Sequence, residues 1–311
     1  MTNRYEDVLG DLGAGRLKLN ESLRRYTVAQ LGGPADALIA VDTQVLLGTV
    51  VQLAWERNWP LRVLGGGTNI LISDLGFRGL VVINNARQIA FGEDGLVIAG
   101  SGAALIRIAR ESVQRGLSGL EWAVGIPGTL GGAIVNNAGA HGSDMAATVR
   151  SAEVLFPRRP PETWPVAQLA YRYRESALKR SVVPFAVLSG RLQLSPGHDP
   201  AALQARTDEF TAHRKRTQPP GASLGSMFKN PPGDYAGRLI EAAGLKGTRM
   251  GGVVISPVHA NFFINTGNGT ARDYLDLIRL ARKTVRDKLG IELALEIELI
   301  GEGFEDQGVL G

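Results

Sequence analysis

The chain has 311 residues, of which 44% are hydrophobic and 21% charged, and its formal net charge is +4. These values indicate a folded soluble protein of one large domain or two to three smaller ones, and they exclude a mostly disordered chain. Cysteine is absent, which excludes disulfides, thiol nucleophiles and thiolate metal sites. The four histidines lie far apart, so we predict no metal site.

Helical spacing of apolar residues predicts a first helix over 42–59, with Asp42 as its N-cap. A strand is expected at 61–64, followed by glycines. Two more strands are predicted in the stretches ILISD (70–74) and GLVVINNA (79–86).

The middle of the chain gives three further predictions. A helix over 101–115 is expected to begin at Ser101 and to stop at Gly116. The stretch 157–165 contains four prolines and reads as a surface connection, because proline offers no backbone donor to a central strand. Another helix is expected over about 199–214, where Asp-Pro suits a helix start.

The last third of the chain is predicted to form a compact unit of mixed helices and strands. A loop and helix occupy 225–244, and strands follow at 253–256 and 261–265. A long helix is expected over 270–289. The segment 291–301 alternates apolar and polar residues and predicts a final strand. This part of about a hundred residues is expected to form a separate domain.

Two glycine-rich segments, 65–69 and 125–142, are candidates for ligand binding. Glycine brings backbone N–H groups close to a ligand, which is how loops cradle phosphate oxygens. Neither a P-loop nor a dinucleotide fingerprint of the GxGxxG type is present. The segments are either two sides of one extended ligand with a diphosphate and a flat ring, or tight turns and close-packing points.

The order of eight segments resembles one enzyme family, that of UDP-N-acetylenolpyruvoylglucosamine reductase. The matches run over nearly the whole chain, from about residue 22 to 301. They are YTVAQLGGPAD (26–36), LGGGTNILISD (64–74), GIPGTLGGAIVNNAGAHG (125–142), YRYRES (171–176), GSMFKNP (225–231), AGLKG (243–247), HANFFIN (259–265) and LEIELIG (295–301).

This resemblance implies an α+β fold, with a vanillyl-alcohol-oxidase-type FAD-binding part and a C-terminal α+β substrate domain. We expect FAD-binding subdomains at 1–80 and 81–215 and the substrate domain at 216–311. The implied FAD contacts lie in the two glycine segments and are Gly65, Gly66, Gly67, Thr68, Asn69, Gly125, Ile126, Pro127, Gly128, Gly131, Asn136, Asn137 and Gly139.

The implied reaction is the NADPH-dependent reduction, through FAD, of the enolpyruvyl group of UDP-N-acetylglucosamine enolpyruvate, giving UDP-N-acetylmuramate for peptidoglycan. Hydride addition to the terminal carbon drives electron density into the carboxylate, and the adjacent carbon then takes a proton. The site must therefore hold a developing negative charge and deliver a proton.

Three residues match the catalytic positions of the family. Arg174 would bind the substrate carboxylate, Ser226 would donate the proton, and Glu296 would act on the enediolate. Without the resemblance, they read as an exposed strand arginine, a turn serine and part of a solvated strand face. Tyr173, Lys229 and Asn230 are expected substrate contacts.

Some features favour a plain structural role or a family variant. His259 is expected to be structural and His141 to be a turn residue. Only about fifty residues separate Arg174 from Ser226, so the inserted tyrosine loop of the longer family variant is absent here. We therefore expect the shorter variant.

Partners and rival functions follow from the same residues. The 34 basic residues are scattered among 30 acidic ones, so a UDP-sugar is expected rather than a nucleic acid. No signal peptide or apolar span is evident, so we predict no membrane partner and a cytoplasmic location. The oligomeric state is left open by the sequence, and a monomer is favoured. The alternatives are another FAD oxidoreductase of this fold, acting on a small alcohol or sugar, and a non-catalytic nucleotide-binding protein.

Overall fold

Helices and strands are mixed along the chain in this computed structural model, which describes residues 4–10, 12 and 16–304. The α-helices are α1 Glu6–Leu9, α2 Gln44–Glu56, α3 Leu105–Gln114, α4 Leu130–Asn136, α5 Val166–Leu169, α6 Pro200–Thr217, α7 Ala236–Ala242 and α8 Ala271–Leu289. The β-strands are β1 Leu17–Ser22, β2 Pro34–Val41, β3 Leu61–Leu64, β4 Ile70–Ile72, β5 Phe77–Asn84, β6 Ile89–Phe91, β7 Leu96–Gly100, β8 Gly139–Ala140, β9 Ser143–Asp144, β10 Val149–Leu155, β11 Glu162–Pro165, β12 Ala186–Gln193, β13 Ala222–Ser226, β14 Arg249–Met250, β15 Val253–Ile255, β16 Phe262–Asn265 and β17 Glu298–Ile300.

The described residues fall into two compact units. Unit 1 is made of Met1–Leu19, Ala37–Gly66 and Gly79–Arg214, and unit 2 of Asn20–Asp36, Gly67–Arg78 and Lys215–Gly311. The chain therefore passes between the units several times, including inside the first glycine segment. The division into three parts at residues 80 and 215 stays a prediction.

The main sheet of unit 1 is antiparallel and has the strand order β11-β10-β12-β7-β6. Helix α4 packs directly on β12 at Gly190, where a Cβ would lie 2.7 Å from Cδ1 of Ile134. Only glycine permits this approach. The helix carries the central part of the second glycine segment, residues 130–136, so this contact fixes that part on the sheet.

Helix α2 is shorter than predicted and is capped by another residue. It begins at Gln44, and the Thr43 hydroxyl accepts a hydrogen bond from Leu46 N at 3.1 Å. Asp42 is not the cap, because its carboxylate pairs with Arg16 at 3.0 Å. The buried face of α2 packs in one apolar cluster with strand residues such as Leu80 and with the parallel pair β3 and β5.

Helix α3 also begins later than predicted, at Leu105 instead of Ser101. Ser101 donates its N–H to Leu188 O at 2.9 Å and accepts from Gly131 N at 2.8 Å, so its backbone continues the sheet. The helix ends at Gln114, and Gly116 has a φ of +68°. A left-handed glycine is a common helix stop, so this end agrees with the prediction.

The proline-rich stretch is more than a connection. Glu162–Pro165 forms β11, the edge strand of the main sheet, opposite Ser151 to Val154 of β10. An edge position tolerates a proline because one side of the strand needs no donor. The helix expected over 199–214 is present as Pro200–Thr217.

Unit 2 contains a four-stranded antiparallel sheet, ordered β13-β16-β15-β14, and the parallel pair β4 and β17. The long helix α8 agrees with its prediction. A capping box formed by Thr270 and Asp273 begins it, and the Asp74 carboxylate accepts from Ala271 N and Arg272 N at 2.9 and 3.0 Å. These acceptors satisfy N–H groups that a helix start leaves unpaired.

The final segment is only partly a strand, which corrects the prediction for 291–301. Glu298–Ile300 pairs with β4, and upstream Leu295 forms an isolated bridge to Phe228. The alternation was nevertheless informative, because Leu293 and Ile297 are buried in the core of unit 2. In residues 4–10, 12 and 16–304 no helix is long and apolar enough to cross a membrane.

Candidate active site

The two glycine segments come together in unit 1 at Thr129. A Cβ placed at Gly65 would lie 2.3 Å from Thr129 Oγ1, and one placed at Gly132 would lie 3.8 Å from it. A side chain at position 65 would therefore collide with the second segment. Sequence reasoning did not select Thr129, because a lone threonine in a glycine-rich loop carries no pattern.

This part of unit 1 fits the diphosphate of FAD. Gly65 and Gly66 are exposed, and among the described residues their backbone N–H groups donate to no acceptor. Adjacent free N–H groups without a Cβ are the arrangement that binds phosphate oxygens. Gly128, with a φ of +120°, gives the second segment a backbone turn that other residues rarely adopt.

The remaining residues of the first segment lie in unit 2. Gly67 has a φ of +58°, and a Cβ there would lie 2.0 Å from Tyr26 O. Its carbonyl accepts from Val28 N at 3.1 Å. The side-chain amide of Asn69 donates to Glu296 O at 3.1 Å. The loop that was predicted to contact FAD is therefore tied by its far end to the segment that contains the predicted catalytic residue Glu296.

Arg174 lies in a tight turn, not on a strand. Two backbone hydrogen bonds between Arg172 and Glu175, at 2.9 and 3.1 Å, close this turn. Arg174 has a φ of +58°, a left-handed conformation that is uncommon for a non-glycine residue. Its Nη2 donates to Gly139 O at 2.8 Å, and its guanidinium lies 5.3 Å from the ring of Tyr173.

Side chains fix the Arg174 turn to the second glycine segment. Asn137 Nδ2 donates to Arg172 O at 3.0 Å, and Ser176 Oγ donates to Val135 O at 2.6 Å. Lys179 Nζ bonds Asn136 Oδ1 at 2.7 Å and reaches Arg174 O at 3.4 Å. The predicted carboxylate-binding arginine and the predicted FAD segment therefore form one hydrogen-bonded network within unit 1.

Ser226 is the last residue of β13 in unit 2, opposite Phe262 of β16. The segment after it is held by one buried side chain, Asn261. Met227 N donates to Asn261 O at 2.8 Å. Phe228 N donates to Asn261 Oδ1 at 2.9 Å, and Asn261 Nδ2 donates to Phe228 O at 2.8 Å. The side-chain amide of Asn261 thus makes the two hydrogen bonds to the Phe228 main chain that a neighbouring strand would otherwise make.

The structure brings Ser226 and Glu296 together through the main chain. Glu296 N donates to Met227 O at 2.9 Å, directly after Ser226. The Glu296 carbonyl accepts from Asn69, and Glu298 N donates to Asn69 O at 2.9 Å. Both Ser226 and Glu296 are partly exposed. A hydroxyl and a carboxyl on neighbouring segments can act on one substrate.

The predicted substrate contacts are distributed over both units. Lys229 follows the Ser226 segment, and its N–H donates to Ala294 O at 2.8 Å. Asn230 Oδ1 accepts from Ala236 N at 3.0 Å, which anchors the start of α7. Tyr173 is 51% exposed at the tip of the Arg174 turn. Their roles toward the substrate stay predictions.

The two histidines singled out from the sequence differ in environment. His259 Nδ1 accepts from Asn261 N at 3.2 Å, and burial lowers its pKa, so the ring is neutral and structural. His141 has a φ of +53°, as in a turn, and its ring stacks on Phe210 with centroids 4.2 Å apart. Partial burial and the nearby His213 and Arg214 lower the pKa of His141.

Two family models match separate parts of the chain. The model for an FAD binding domain matches residues 35–158, and the model for the C-terminal domain of UDP-N-acetylenolpyruvoylglucosamine reductase matches residues 217–300. The structure is similar to that of the reductase from Thermus caldophilus, with a TM-score of 0.77 and 36% identity over 92% of this chain and 98% of the other. The predicted α+β fold, of the vanillyl-alcohol-oxidase type with a C-terminal α+β domain, is confirmed.

Curated relatives agree with these matches. The UDP-N-acetylenolpyruvoylglucosamine reductase of Chloroflexus aggregans is 44% identical over 91% of this chain and 97% of its own length. The reductase of Rubrobacter xylanophilus is 45% identical over 92% of this chain and 95% of its own length. Identity at this level over nearly full length is decisive, and the chain belongs to the UDP-N-acetylenolpyruvoylglucosamine reductase family.

Proposed function

We propose that this chain reduces the enolpyruvyl group of UDP-N-acetylglucosamine enolpyruvate to give UDP-N-acetylmuramate, with NADPH as the reductant. FAD, when bound, supplies the redox chemistry by passing a hydride from NADPH to the substrate. The observation that carries the proposal is the main-chain bond between Glu296 N and Met227 O. It places the two residues that match the family's proton-handling positions on adjacent segments, in a chain that belongs to that family.

Ser226 is proposed to protonate the carbon next to the carboxylate after hydride has reached the terminal carbon. A serine hydroxyl is a weak acid in water, so the role requires a basic enediolate close by and a hydrogen-bonded position. Pairing with Phe262 fixes the Ser226 main chain. Partial exposure of the residue leaves it accessible to a ligand.

Glu296 is proposed to act on the same enediolate, either as a hydrogen-bond donor in its protonated form or by orienting a water. Its main chain is held on both sides, by Met227 O and by Asn69 Nδ2. A carboxyl group with a fixed backbone loses little entropy when it meets the substrate, which favours such a role.

Arg174 is proposed to bind the substrate carboxylate and to stabilise the charge that develops there. Guanidinium groups are always charged and bind carboxylates through two parallel hydrogen bonds. The positive φ of Arg174 and its bond to Gly139 O indicate a side chain placed by its surroundings for a task. Tyr173, Lys229 and Asn230 are proposed as further substrate contacts.

The FAD contacts are proposed to be the glycine-segment residues named from the sequence, with Thr129 added. The free N–H groups of Gly65 and Gly66 support the diphosphate end of this assignment. Action in the cytoplasm, as a monomer in peptidoglycan precursor synthesis that serves cell shape and division, is part of the same proposal. An FAD oxidase of small alcohols or sugars is disfavoured by the family membership.

An anaerobic visible spectrum tests the function. Spectra are recorded for the purified protein, after one equivalent of NADPH, and after UDP-N-acetylglucosamine enolpyruvate is added. We expect a flavin band that bleaches with NADPH and returns with the substrate. Bleaching without return would favour the oxidase, and the assignments of Arg174, Ser226 and Glu296 would then be withdrawn. The same series with NADH shows which nicotinamide cofactor is used.

A further inference from the structure

Glu121 is a buried acidic residue that the proposed reaction does not use. It begins the short 3₁₀-helix Glu121–Ala123 in unit 1, directly upstream of the second glycine segment, and only 3% of the residue is exposed. Acidic side chains are almost never buried this deeply unless polar groups satisfy them. The partners of Glu121 therefore indicate why it lies there.

Both carboxylate oxygens of Glu121 bind the turn that precedes the 3₁₀-helix. Ser118 Oγ donates to Oε1 and Gly119 N donates to Oε2, both at 2.7 Å. Gly119 has a φ of +126°, a conformation that residues with a Cβ rarely adopt. Its carbonyl accepts from Trp122 Nε1 at 3.0 Å. The carboxylate therefore fixes a turn whose central glycine is otherwise free to take many conformations.

Glu121 keeps its negative charge in this environment. Burial raises the pKa of Glu121, but the hydrogen bonds from Ser118 and from main-chain N–H groups, together with the charge of Arg206, outweigh burial and lower the pKa overall. The side chain is therefore ionised at neutral pH. Hydrogen bonds to a charged acceptor are stronger than those to a neutral one, so the two bonds to Ser118 and Gly119 hold the turn firmly.

The 3₁₀-helix connects this turn to the second glycine segment. Ala123 N donates to Leu120 O, and Ile126 N donates to Ala123 O, both at 2.9 Å. Leu120 and Ala123 are fully buried in one apolar cluster of unit 1, so the helix has little room to move. Residues 125–128, which are proposed FAD contacts, therefore follow a backbone that is fixed at the Glu121 carboxylate.

We propose that Glu121 is a positioning residue for FAD, whose carboxylate holds residues 125–128 in the conformation that contacts the cofactor. This role rests on the proposed function, which assigns FAD contacts to the second glycine segment. A site that is formed before its ligand arrives loses less conformational freedom on binding, so it binds more tightly. Loss of the Glu121 hydrogen bonds therefore weakens FAD binding and leaves the reactions of the bound cofactor unchanged.

The test compares Glu121→Met with Glu153→Met. Methionine keeps a side chain of similar length and removes both acceptors. Glu153 lies half-buried on β10 in the same unit and accepts from the buried Ser189 at 3.0 Å, so its replacement also leaves a buried donor unpaired. FAD is titrated into each apoprotein, and flavin fluorescence gives the dissociation constant. We expect Glu121→Met to raise it about tenfold, the effect of losing hydrogen bonds to a charged group, and Glu153→Met to change it less than about twofold.

Two further measurements separate positioning from other roles. Urea denaturation compares the free energies of unfolding of the two apoproteins. If both variants weaken FAD binding alike, the cause is a general loss of stability, and the proposal is overturned. It is also overturned if Glu121→Met leaves the dissociation constant unchanged. At saturating FAD, reduction of Glu121→Met by NADPH should stay within about twofold of wild type. Slower reduction would assign Glu121 to the chemistry and contradict a positioning role.

Two more variants refine the result. Glu121→Gln keeps an acceptor for Gly119 N and loses the charge, so its FAD dissociation constant should fall between those of wild type and Glu121→Met. Gly128 has a φ of +120°, so Gly128→Ala distorts the glycine segment itself. If Gly128→Ala weakens FAD binding and Glu121→Met does not, the FAD contacts stand and only the role of Glu121 is overturned. If neither variant weakens it, the assignment of FAD to this segment is overturned as well.

A measurement on wild-type protein covers the case in which Glu121→Met does not fold. Amide hydrogen exchange of the apoprotein is followed by NMR. We expect the N–H groups of Gly119 and Ile126 to exchange slowly before FAD is added, because their hydrogen bonds belong to a turn that is already formed. The free N–H of Gly65 serves as the fast reference. Exchange of Gly119 and Ile126 as fast as that of Gly65 would show that Glu121 does not hold the segment.

Discussion

Arg174 and the Ser226–Glu296 pair are held in place by different means. The Arg174 turn depends on side chains, since Asn137, Ser176 and Lys179 tie it to the second glycine segment. Ser226 and Glu296 depend on main-chain pairing, with Met227 O accepting from Glu296 N. A residue positioned by side chains is vulnerable to single substitutions around it. A residue positioned by strand pairing tolerates substitutions around it. The exception is a place where a side chain supplies the hydrogen bonds of a strand, as Asn261 does for Phe228.

The largest effect is expected for Ser226→Ala. Its main chain would still pair with Phe262, so the change removes the proposed proton donor and little else. Loss of a general acid costs about 10²- to 10⁴-fold. We therefore expect reoxidation by the enolpyruvyl substrate to slow by at least about 100-fold, while reduction by NADPH stays nearly unchanged, as measured by anaerobic stopped-flow absorbance.

Ser223→Ala is the control for this change, because Ser223 lies on the same strand, opposite Ile264. It should leave both half-reactions within about twofold of wild type, as a surface substitution does. Equal slowing of reduction and reoxidation in Ser226→Ala would remove the proton-donor role. That outcome would also contradict the contrast with the Arg174 turn, because main-chain pairing would then not be enough to hold Ser226 and Glu296 in place.

Asn261→Ala is expected to have the next largest effect, on stability. Phe228 is fully buried, and the change leaves both its N–H and its C=O without their partners. An unsatisfied buried polar group costs about 1–3 kcal/mol, so we expect the free energy of unfolding to fall by about 3 kcal/mol. Urea denaturation with a check of the slope measures it.

The exposed Asn268 in the same unit supplies the matched control. Asn268→Ala should change the free energy of unfolding by less than about 0.5 kcal/mol. A loss of similar size in both variants would mean that the Asn261 amide does not stand in for a strand.

The sequence indicated candidate site residues, but not the groups that hold them in place. Local patterns predict the glycine segments, the long helix ended at Gly290 and the strand Leu61–Leu64, because turns, periodicity and caps depend on near neighbours. Asn261 and Lys179 act on residues 33 and 43 positions away. Such partners are set by the folded topology, which a single sequence does not display.

The misplaced helix starts have the same origin. Asp42 and Ser101 are both good N-cap residues by type. Each is engaged elsewhere, Asp42 with Arg16 and Ser101 with Asn84 and Leu188. In both cases a residue distant in the sequence binds the expected N-cap residue, and the helix begins later. Local helix propensities do not contain this information.

Lys179→Met is expected to have a moderate effect on substrate binding. Methionine keeps an apolar stem of similar length and removes the ammonium that bonds Asn136 Oδ1 and reaches Arg174 O. The strained turn should then relax and move the guanidinium. We expect KM for the enolpyruvyl substrate to rise about tenfold, or about 1.4 kcal/mol, with the rate of reduction by NADPH unchanged in steady-state and stopped-flow assays.

Lys283→Met, at an exposed lysine paired with Asp287, controls for the loss of one surface charge. It should leave KM within about twofold, since such pairs contribute little. If Lys179→Met also leaves KM unchanged, the turn holds its shape without side chains. The contrast between the two regions would then disappear.

The smallest expected effect is a pH dependence in the main-chain region. His259 accepts from Asn261 N through Nδ1, which only an unprotonated nitrogen can do, and burial lowers its pKa below the usual value. The unfolded chain therefore takes up a proton at a higher pH than the folded one. Between those two pKa values stability falls as pH falls, and above the usual value it is fully present.

Replacing His259 by glutamine keeps a hydrogen-bond acceptor and removes the titration, so this variant should lose less stability between pH 7 and pH 5 than wild type does. His198→Gln, at an exposed histidine, is the matched control. Thermal unfolding at several pH values measures the slopes. Parallel curves for His259→Gln and wild type would show that Asn261 does not need a neutral His259. If wild type instead loses more stability than His259→Gln as pH falls, the region held by main-chain pairing also depends on one side chain, His259, which must remain uncharged.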